Sequence, residues 1–275
     1  MAPEFPHPRT AIVTGAARRI GADIAEALLA DGWHVLVHCN TSRAEAEARF
    51  ASDLRARDSR ARRDWRARIV EADLADPGAA AAIMAALDGL PPPALLVNNA
   101  SRFVYDSVGG DSVGGDSAGG FTCADWDAHF AVNLRAPALL SQAFAAAVPA
   151  GQSALIVNLS DAKLDAPNPD FFTYTLSKGG LASLTELLAR ALAGRGIRVC
   201  AIAPSVTLVS GPQSRDKFDA VHRLNALGRG VTSEQIVAAL RFIVATPTMT
   251  GQTITLDGGQ RFLGLARDVQ FVEPR

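Results

Sequence analysis

The stretch TAIVTGAARRIGADIAEALLADGWHVLV, residues 10–37, reads as a strand, a turn, a helix and a second strand. Thr10 to Thr14 is a short β-branched run, and Gly15 breaks it. From Ile20 to Ala30 the apolar residues Ile20, Ile24, Ala27 and Leu28 recur at helical spacing. Gly32 ends the helix, and Val35-Leu36-Val37 forms the next strand. This is the size and order of a βαβ unit. Its turn is T-G-A-A-R-R-I-G. A full dinucleotide fingerprint carries three glycines. Gly15 and Gly21 stand in place, and Arg19 occupies the middle position. One reading brings the backbone of Gly15 to Ile20 against a pyrophosphate at the helix N-terminus, with Arg18 and Arg19 adding positive charge. The other is a plain glycine turn with two solvated arginines.

The alternation continues outward from this unit. The second strand ends in His38-Cys39-Asn40-Thr41-Ser42-Arg43, with no acid before Glu45. An NAD site usually places Asp or Glu there, on the ribose hydroxyls. Ser42 and Arg43 suit a 2'-phosphate instead, which points to NADP(H); otherwise Arg43 simply begins a solvated helix. A helical pattern covers residues 43–68. Ile69-Val70 is a third strand, followed by Asp73 and Leu74, and Pro77 to Leu87 is an Ala-rich helix. Ala94 to Val97 is a continuously apolar fourth strand, suited to a sheet buried on both faces. It ends in Asn98-Asn99-Ala100-Ser101-Arg102-Phe103, polar residues where open α/β sheets bind ligands. A long helix over Trp126 to Val148 contains Asn133. Strands follow at Gln152 to Leu159, at Ile197 to Ala203 (ending in Pro204 and Ser205) and at Thr253 to Leu256. Helices are expected over Phe172 to Ala193 and Ser233 to Ala245, and Thr207 to Ala226 is irregular or helical. About seven parallel strands with alternating helices make one α/β, doubly wound, Rossmann-like domain over residues 1–275.

The segment VNLSDAKLDAPNPDFFTYTLSK, residues 157–178, carries the chemistry. Tyr174 and Lys178 are four apart at the start of a helix, so they share one face. An ammonium beside a phenol stabilises the phenolate and makes the phenol a better acid. Asp161 ends the preceding strand, thirteen residues before Tyr174, and the loop can fold it back against the phenol.

Composition narrows the function classes. A net charge of -1 and 48% hydrophobic residues give no pull toward nucleic acid or membrane. Three scattered cysteines and five histidines show no disulfide or metal-ligand spacing, and a reducing cytoplasm is the simplest setting. Seven arginines between Arg55 and Arg68 fit either an anion patch or a solvated helix end. The repeats D-S-V-G-G, D-S-V-G-G and D-S-A-G-G over residues 106–120 read as a flexible insertion. The tail from Arg261 to Arg275 either enters a neighbouring subunit's site or frays.

Together the motifs resemble the short-chain dehydrogenase/reductase family: T-G-x-x-x-x-x-G at Thr14 to Gly21, Asp73, N-N-A at Asn98 to Ala100, Asn133, Y-x-x-x-K at Tyr174 and Lys178, and D-G-G at Asp257 to Gly259. The resemblance implies an NADPH-dependent oxidoreductase, usually a tetramer, with Tyr174 as the catalytic acid and Asn133 holding a water in the proton path. Most members have Ser where Asp161 stands and Gly where Arg19 stands. Those two departures and the extension N-N-A-S-x-F to Phe103 resemble the pteridine reductase branch. That branch implies a pterin sandwiched between Phe103 and the nicotinamide, with Arg19 and Ser101 nearby. A reductase of ketones, or an NADP-binding protein without turnover, are the competing readings.

Overall fold

The computed structural model describes residues 5, 7–54, 66–109, 120–209 and 215–272. Its frame is one sheet of seven strands: β1 (Thr10–Val13), β2 (His34–Cys39), β3 (Ala67–Glu71), β4 (Pro93–Asn98), β5 (Ala154–Leu159), β6 (Ile197–Pro204) and β7 (Thr253–Leu256). Every pairing is parallel, in the order β3-β2-β1-β4-β5-β6-β7. Strands β1, β4 and β5 are buried along their whole length, as their unbroken apolar runs require. The order reverses between β1 and β4. Both strand ends there point into the same crevice, where doubly wound sheets bind ligands.

Helices cover both faces. On one, α1 (Arg19–Ala30) packs Ile24 and Leu28 against Val13 and Val37 in the larger core, joined by Ile236 and Leu240 of α9 (Ser233–Val244). On the other, Ile83 of α4 (Ala79–Ala85) and Leu140 and Phe144 of α6 (Ala136–Ala147) pack on Ile12, Leu96 and Ile156. Burying each such side chain stabilises the fold by about 1.5–3 kcal/mol. Thr232 and Gln235 close a capping box on α9, which α8 (Arg215–His222) precedes in the chain.

Three expectations change. The long helix around Asn133 begins earlier, at α5 (Cys123–Phe130), where Thr122 and Asp125 form a capping box. It then widens into a π-helical stretch over Ala131–Arg135 before α6 resumes, and Asn133 sits inside that stretch. The helix expected over residues 43–68 stops early. It comprises α2 (Arg43–Arg49) and α3 (Ala51–Leu54), while Ala67 already belongs to β3. Of the arginine run, residues 55–65 lie outside the described residues. Arg66 donates to Leu29 O at 2.8 Å, and Arg68 to Ala86 O at 2.7 Å. These two arginines therefore tie helix ends to the sheet.

The third concerns the insertion. Residues 110–119 lie outside the described residues, but Asp106, its first residue, is buried. Its carboxylate accepts from the Thr173 hydroxyl and, at 3.0 Å, from Thr173 N. A carboxylate on this first-turn amide and hydroxyl caps the start of α7 (Phe172–Leu192), the helix that carries Tyr174 and Lys178.

Candidate active site

A cleft of about 830 Å³ opens at the carboxyl ends of β1, β2, β4, β5 and β6. Gly15, Arg18, Arg19, Ile20 and Gly21 line it from the first turn, Asn40 and Ser42 from the end of β2, and Asp73 and Leu74 from the end of β3. Asn99, Ala100, Ser101 and Phe103 follow β4, Asp161 follows β5, Tyr174 and Lys178 come from α7, and Pro204 and Ser205 from β6. Most of the residues singled out in the sequence therefore meet in one place.

The turn after β1 is held from two sides. Thr14 Oγ1 accepts from Asn99 N at 2.9 Å and Ala100 N at 3.0 Å, while Asn99 Nδ2 donates to Thr14 O at 2.8 Å. Gly15 has φ +61°, a left-handed conformation that glycine adopts without penalty. A Cβ on Gly21 would overlap the Gly15 carbonyl oxygen and Asn99 Nδ2. Arg19 also has a left-handed backbone, φ 57°. A side chain there costs about 1 kcal/mol that the usual glycine would avoid. Its guanidinium crosses the cleft to donate to Val209 O at 2.7 Å, tying the turn to the segment after β6.

His38, which the sequence reading passed over, completes this wall. It is buried; its Nδ1 accepts from Gly15 N at 3.1 Å, and its Nε2 lies 2.9 Å from Ala72 O. Burial pushes its pKa below the ordinary histidine value, which keeps the ring neutral with Nε2 carrying the proton. Arg43 does not line the cleft. Its Nε pairs with Glu47 Oε1 at 2.9 Å, along α2. Arg18 faces the cleft instead, 3.8 Å from Glu45.

At the other end, Tyr174 Oη donates to Asp161 Oδ2 at 2.6 Å, and Lys163 N donates to Asp161 Oδ1 at 2.8 Å. Burial raises the proton affinity of both groups. Asp161 sits above the ordinary carboxyl value, and Tyr174 well above the ordinary phenol, through burial and the neighbouring Asp161 charge. Burial lowers Lys178 to about 8, and its ammonium donates to Leu159 O at 2.7 Å. This corrects the expected acidification. In the chain by itself, burial and Asp161 outweigh any pull of Lys178 on the phenol, and the Tyr174–Asp161 pair retains its proton.

Asn133 lies behind the wall and does not line the cleft. Its Oδ1 accepts from Arg102 N at 2.8 Å and Ser101 Oγ at 3.2 Å, and its Nδ2 donates to Arg102 O and Ser177 Oγ, both at 3.0 Å. With its side chain engaged on all sides, Asn133 fastens the Ser101–Arg102 loop to α7. Phe103 is 37% exposed. It stacks on Phe171 with centroids 4.2 Å apart and meets Tyr174 edge-on at 4.7 Å. Phe171 has φ 53°, a second strained residue at the site, set immediately before α7.

The tail returns to its own chain. Leu265, Asp268, Val269 and Gln270 line the same cleft. Lys163, a further residue without a sequence signal, donates to Asp268 Oδ2 at 2.8 Å and to Asn168 Oδ1 at 2.6 Å.

The dinucleotide-type turn, the polar strand ends and the tyrosine–lysine pair define a nucleotide-dependent oxidoreductase on a Rossmann-like sheet. The chain belongs to the short-chain dehydrogenase family, whose profile matches residues 9–219. It is similar to the crystal structure of FolM alternative dihydrofolate reductase 1 from Brucella canis complexed with NADP, at 39% identity and a TM-score of 0.82, covering 95% of this chain and 97% of that one. Pteridine reductase 1 of Leishmania tarentolae is 31% identical over 90% of this chain and 95% of its own length. L-xylulose reductase of Bos taurus is 32% identical over 91% and 96%.

Proposed function

We propose that the chain reduces a pterin-like heterocycle at a C=N bond with NADPH. The observation that carries this reading is the 2.6 Å bond between Tyr174 and Asp161, beneath the Phe103 ring. A carboxylate beside the phenol repels the developing alkoxide of a ketone. A ring nitrogen whose neighbouring carbon gains hydride is basic enough to draw the proton from the phenol, and the carboxylate can then relay a solvent proton back to it. Phe103 lines the cleft and is partly exposed, and an aromatic side chain there suits a flat heterocycle. The similarity to a dihydrofolate reductase and a pteridine reductase supports the same substrate class. The similarity to a sugar ketone reductase keeps a ketone as the alternative.

The lining residues fit the cofactor. The Gly15–Gly21 turn, which leads into the N-terminus of α1, suits the pyrophosphate, and Asp73 and Leu74 suit the adenine. Asn40, Ser42 and Arg18 offer donors and charge to a 2'-phosphate, a role Arg43 can take only by leaving Glu47. Asn99, Ala100, Ser101, Tyr174 and Lys178 suit the nicotinamide ribose, and Pro204 and Ser205 its ring. When bound, the reduced nicotinamide supplies the hydride. Tyr174 gives its hydroxyl proton to the ring nitrogen as the C=N bond is reduced. Asp161 orients that hydroxyl and, after the transfer, relays a proton from solvent water back to the phenolate. Lys178 offsets the negative charge left on the pair.

NADPH oxidation with a dihydropterin, run beside a ketone panel, tests the reading; turnover of ketones alone would overturn it. The free enzyme's kcat/KM is expected to fall as pH rises through about 8, where Lys178 loses its charge. The limb should steepen toward about tenfold per pH unit. A flat profile from 7 to about 9 would remove Lys178 from the proton balance. Gly21→Ala is expected to weaken NADPH binding about tenfold or more, because the added methyl meets backbone that cannot yield cheaply. Titration by fluorescence checks it.

Two coarser attributes accompany the reading. Leu176 and Leu187, exposed on α7, suit a subunit contact, in keeping with the homotetramer that the family resemblance implies. Three unpaired cysteines support a cytoplasmic setting, and no helix among the described residues is long and apolar enough to cross a membrane.

A further inference from the structure

The catalytic segment is bounded by two residues that reach for the same piece of chain. Lys163 stands two positions after Asp161, and Asp170 two positions before α7. Asp170 is 2% exposed. Its carboxylate takes a two-pronged ion pair from Arg267, with Nε to Oδ2 and Nη2 to Oδ1 both at 2.8 Å, and accepts from Asp268 N at 2.6 Å. Lys163 donates its backbone N–H to Asp161 and its ammonium to Asp268. The same short segment is pinned apolarly. Val269 is buried, and Phe271 lies parallel to Phe171 with centroids 6.0 Å apart. Tyr105 meets Phe271 edge-on at 5.1 Å and Phe171 at 5.2 Å. Phe171 in turn stacks on Phe103. The tail is thus continuous with the aromatic floor of the site on one side and the Asp161 loop on the other.

We propose that the segment Leu265–Phe271 is the substrate-side wall of this same chain's active site, and that Asp170 and Lys163 are the positioning residues that hold it there. The wall fixes the distance between the catalytic pair and the face opposite, and so selects a thin, flat substrate. This rests on the pterin reading for the identity of that substrate. Bidentate pairing makes Arg267 a rigid anchor that lysine would reproduce only in part. Because the tail touches the substrate half of the cleft, its loosening should raise KM and leave cofactor affinity alone.

The test uses the full-length chain with Asp170→Asn and, since a buried residue is altered there, Arg267→Ala at a more exposed position. Both are expected to raise KM for a dihydropterin about tenfold, with kcat within about threefold and the Kd of NADPH within about twofold. Arg267→Lys should recover part of the loss. Amide exchange of residues 265–272 should accelerate in both. Faster exchange with an unchanged KM would overturn the wall, and unchanged exchange would overturn Asp170 and Arg267 as its anchor. If the wild-type chain turns over ketones only, the pterin reading fails. The KM of the best ketone in the same variants then decides the wall by the same criterion.

Discussion

Tyr174→Phe is expected to lower kcat for dihydropterin reduction by about 10²–10⁴ while the Kd of NADPH changes by less than about threefold. The substitution removes one hydroxyl and nothing else. The ring stays in edge contact with Phe103, and α7 keeps its cap from Asp106. What disappears is the donor that lies 2.6 Å from Asp161. Asp161, whose proton affinity burial raises, keeps its bond from Lys163 N but loses the hydroxyl through which it acts. Hydride transfer to carbon then leaves negative charge on nitrogen without a positioned proton. Single-turnover and steady-state rates, measured with NADPH binding on the same preparation, separate the loss of chemistry from loss of the site. Retention of more than about a tenth of wild-type kcat would remove Tyr174 as the proton donor.

The legible part of this molecule follows from local rules. Gly15, the helical spacing of Ile20, Ile24 and Leu28, and the apolar strands fixed the βαβ unit, and its repetition fixed the sheet. Tyr174, Lys178 and Asp161 were legible because helix spacing and a strand end place them without tertiary knowledge. Contacts between segments distant in the sequence were not. His38 is an ordinary strand residue until Gly15 N and Ala72 O close on its two nitrogens. Lys163 has no spacing signal, since its partner Asp268 lies 105 residues away. Asp106 was hidden by its own repeat, where D-S-V-G-G looks solvated throughout. Its burial is set by Thr173 and by His129, whose Nδ1 is 2.7 Å from Thr173 Oγ1. The direction of the Tyr174 shift is hidden from the sequence for a similar reason. Helix spacing puts Lys178 near the phenol, but the ammonium is drawn to Leu159 O, and burial, which a sequence does not display, dominates.

On the pterin reading proposed above, Asp161 is what separates this site from a ketone reductase, and replacing it should change which substrate is reduced. Asp161→Asn is expected to lower dihydropterin kcat by about 10², because Lys163 N and Tyr174 Oη donate to different carboxylate oxygens, one of which the amide replaces with an NH2 donor, and because the amide cannot relay a proton to the phenol. The alkaline limb of the pH profile should move with it, since the Asp161 charge raises the proton affinity of both Tyr174 and Lys178. Removing that charge lowers both, so the limb shifts to lower pH. Asp161→Ser installs the residue most short-chain reductases carry there. Its hydroxyl is shorter by one bond, neutral and able to donate, so it opens room beside Tyr174 for a carbonyl oxygen and supplies a second hydrogen bond to the alkoxide that forms. The ratio of ketone to dihydropterin kcat/KM is therefore expected to rise by about 10² or more in Asp161→Ser and to stay low in Asp161→Asn. Equal ratios in the two variants would mean that the carboxylate excludes ketones by bulk alone, and the selectivity would then have to come from Phe103 and the Leu265–Phe271 wall.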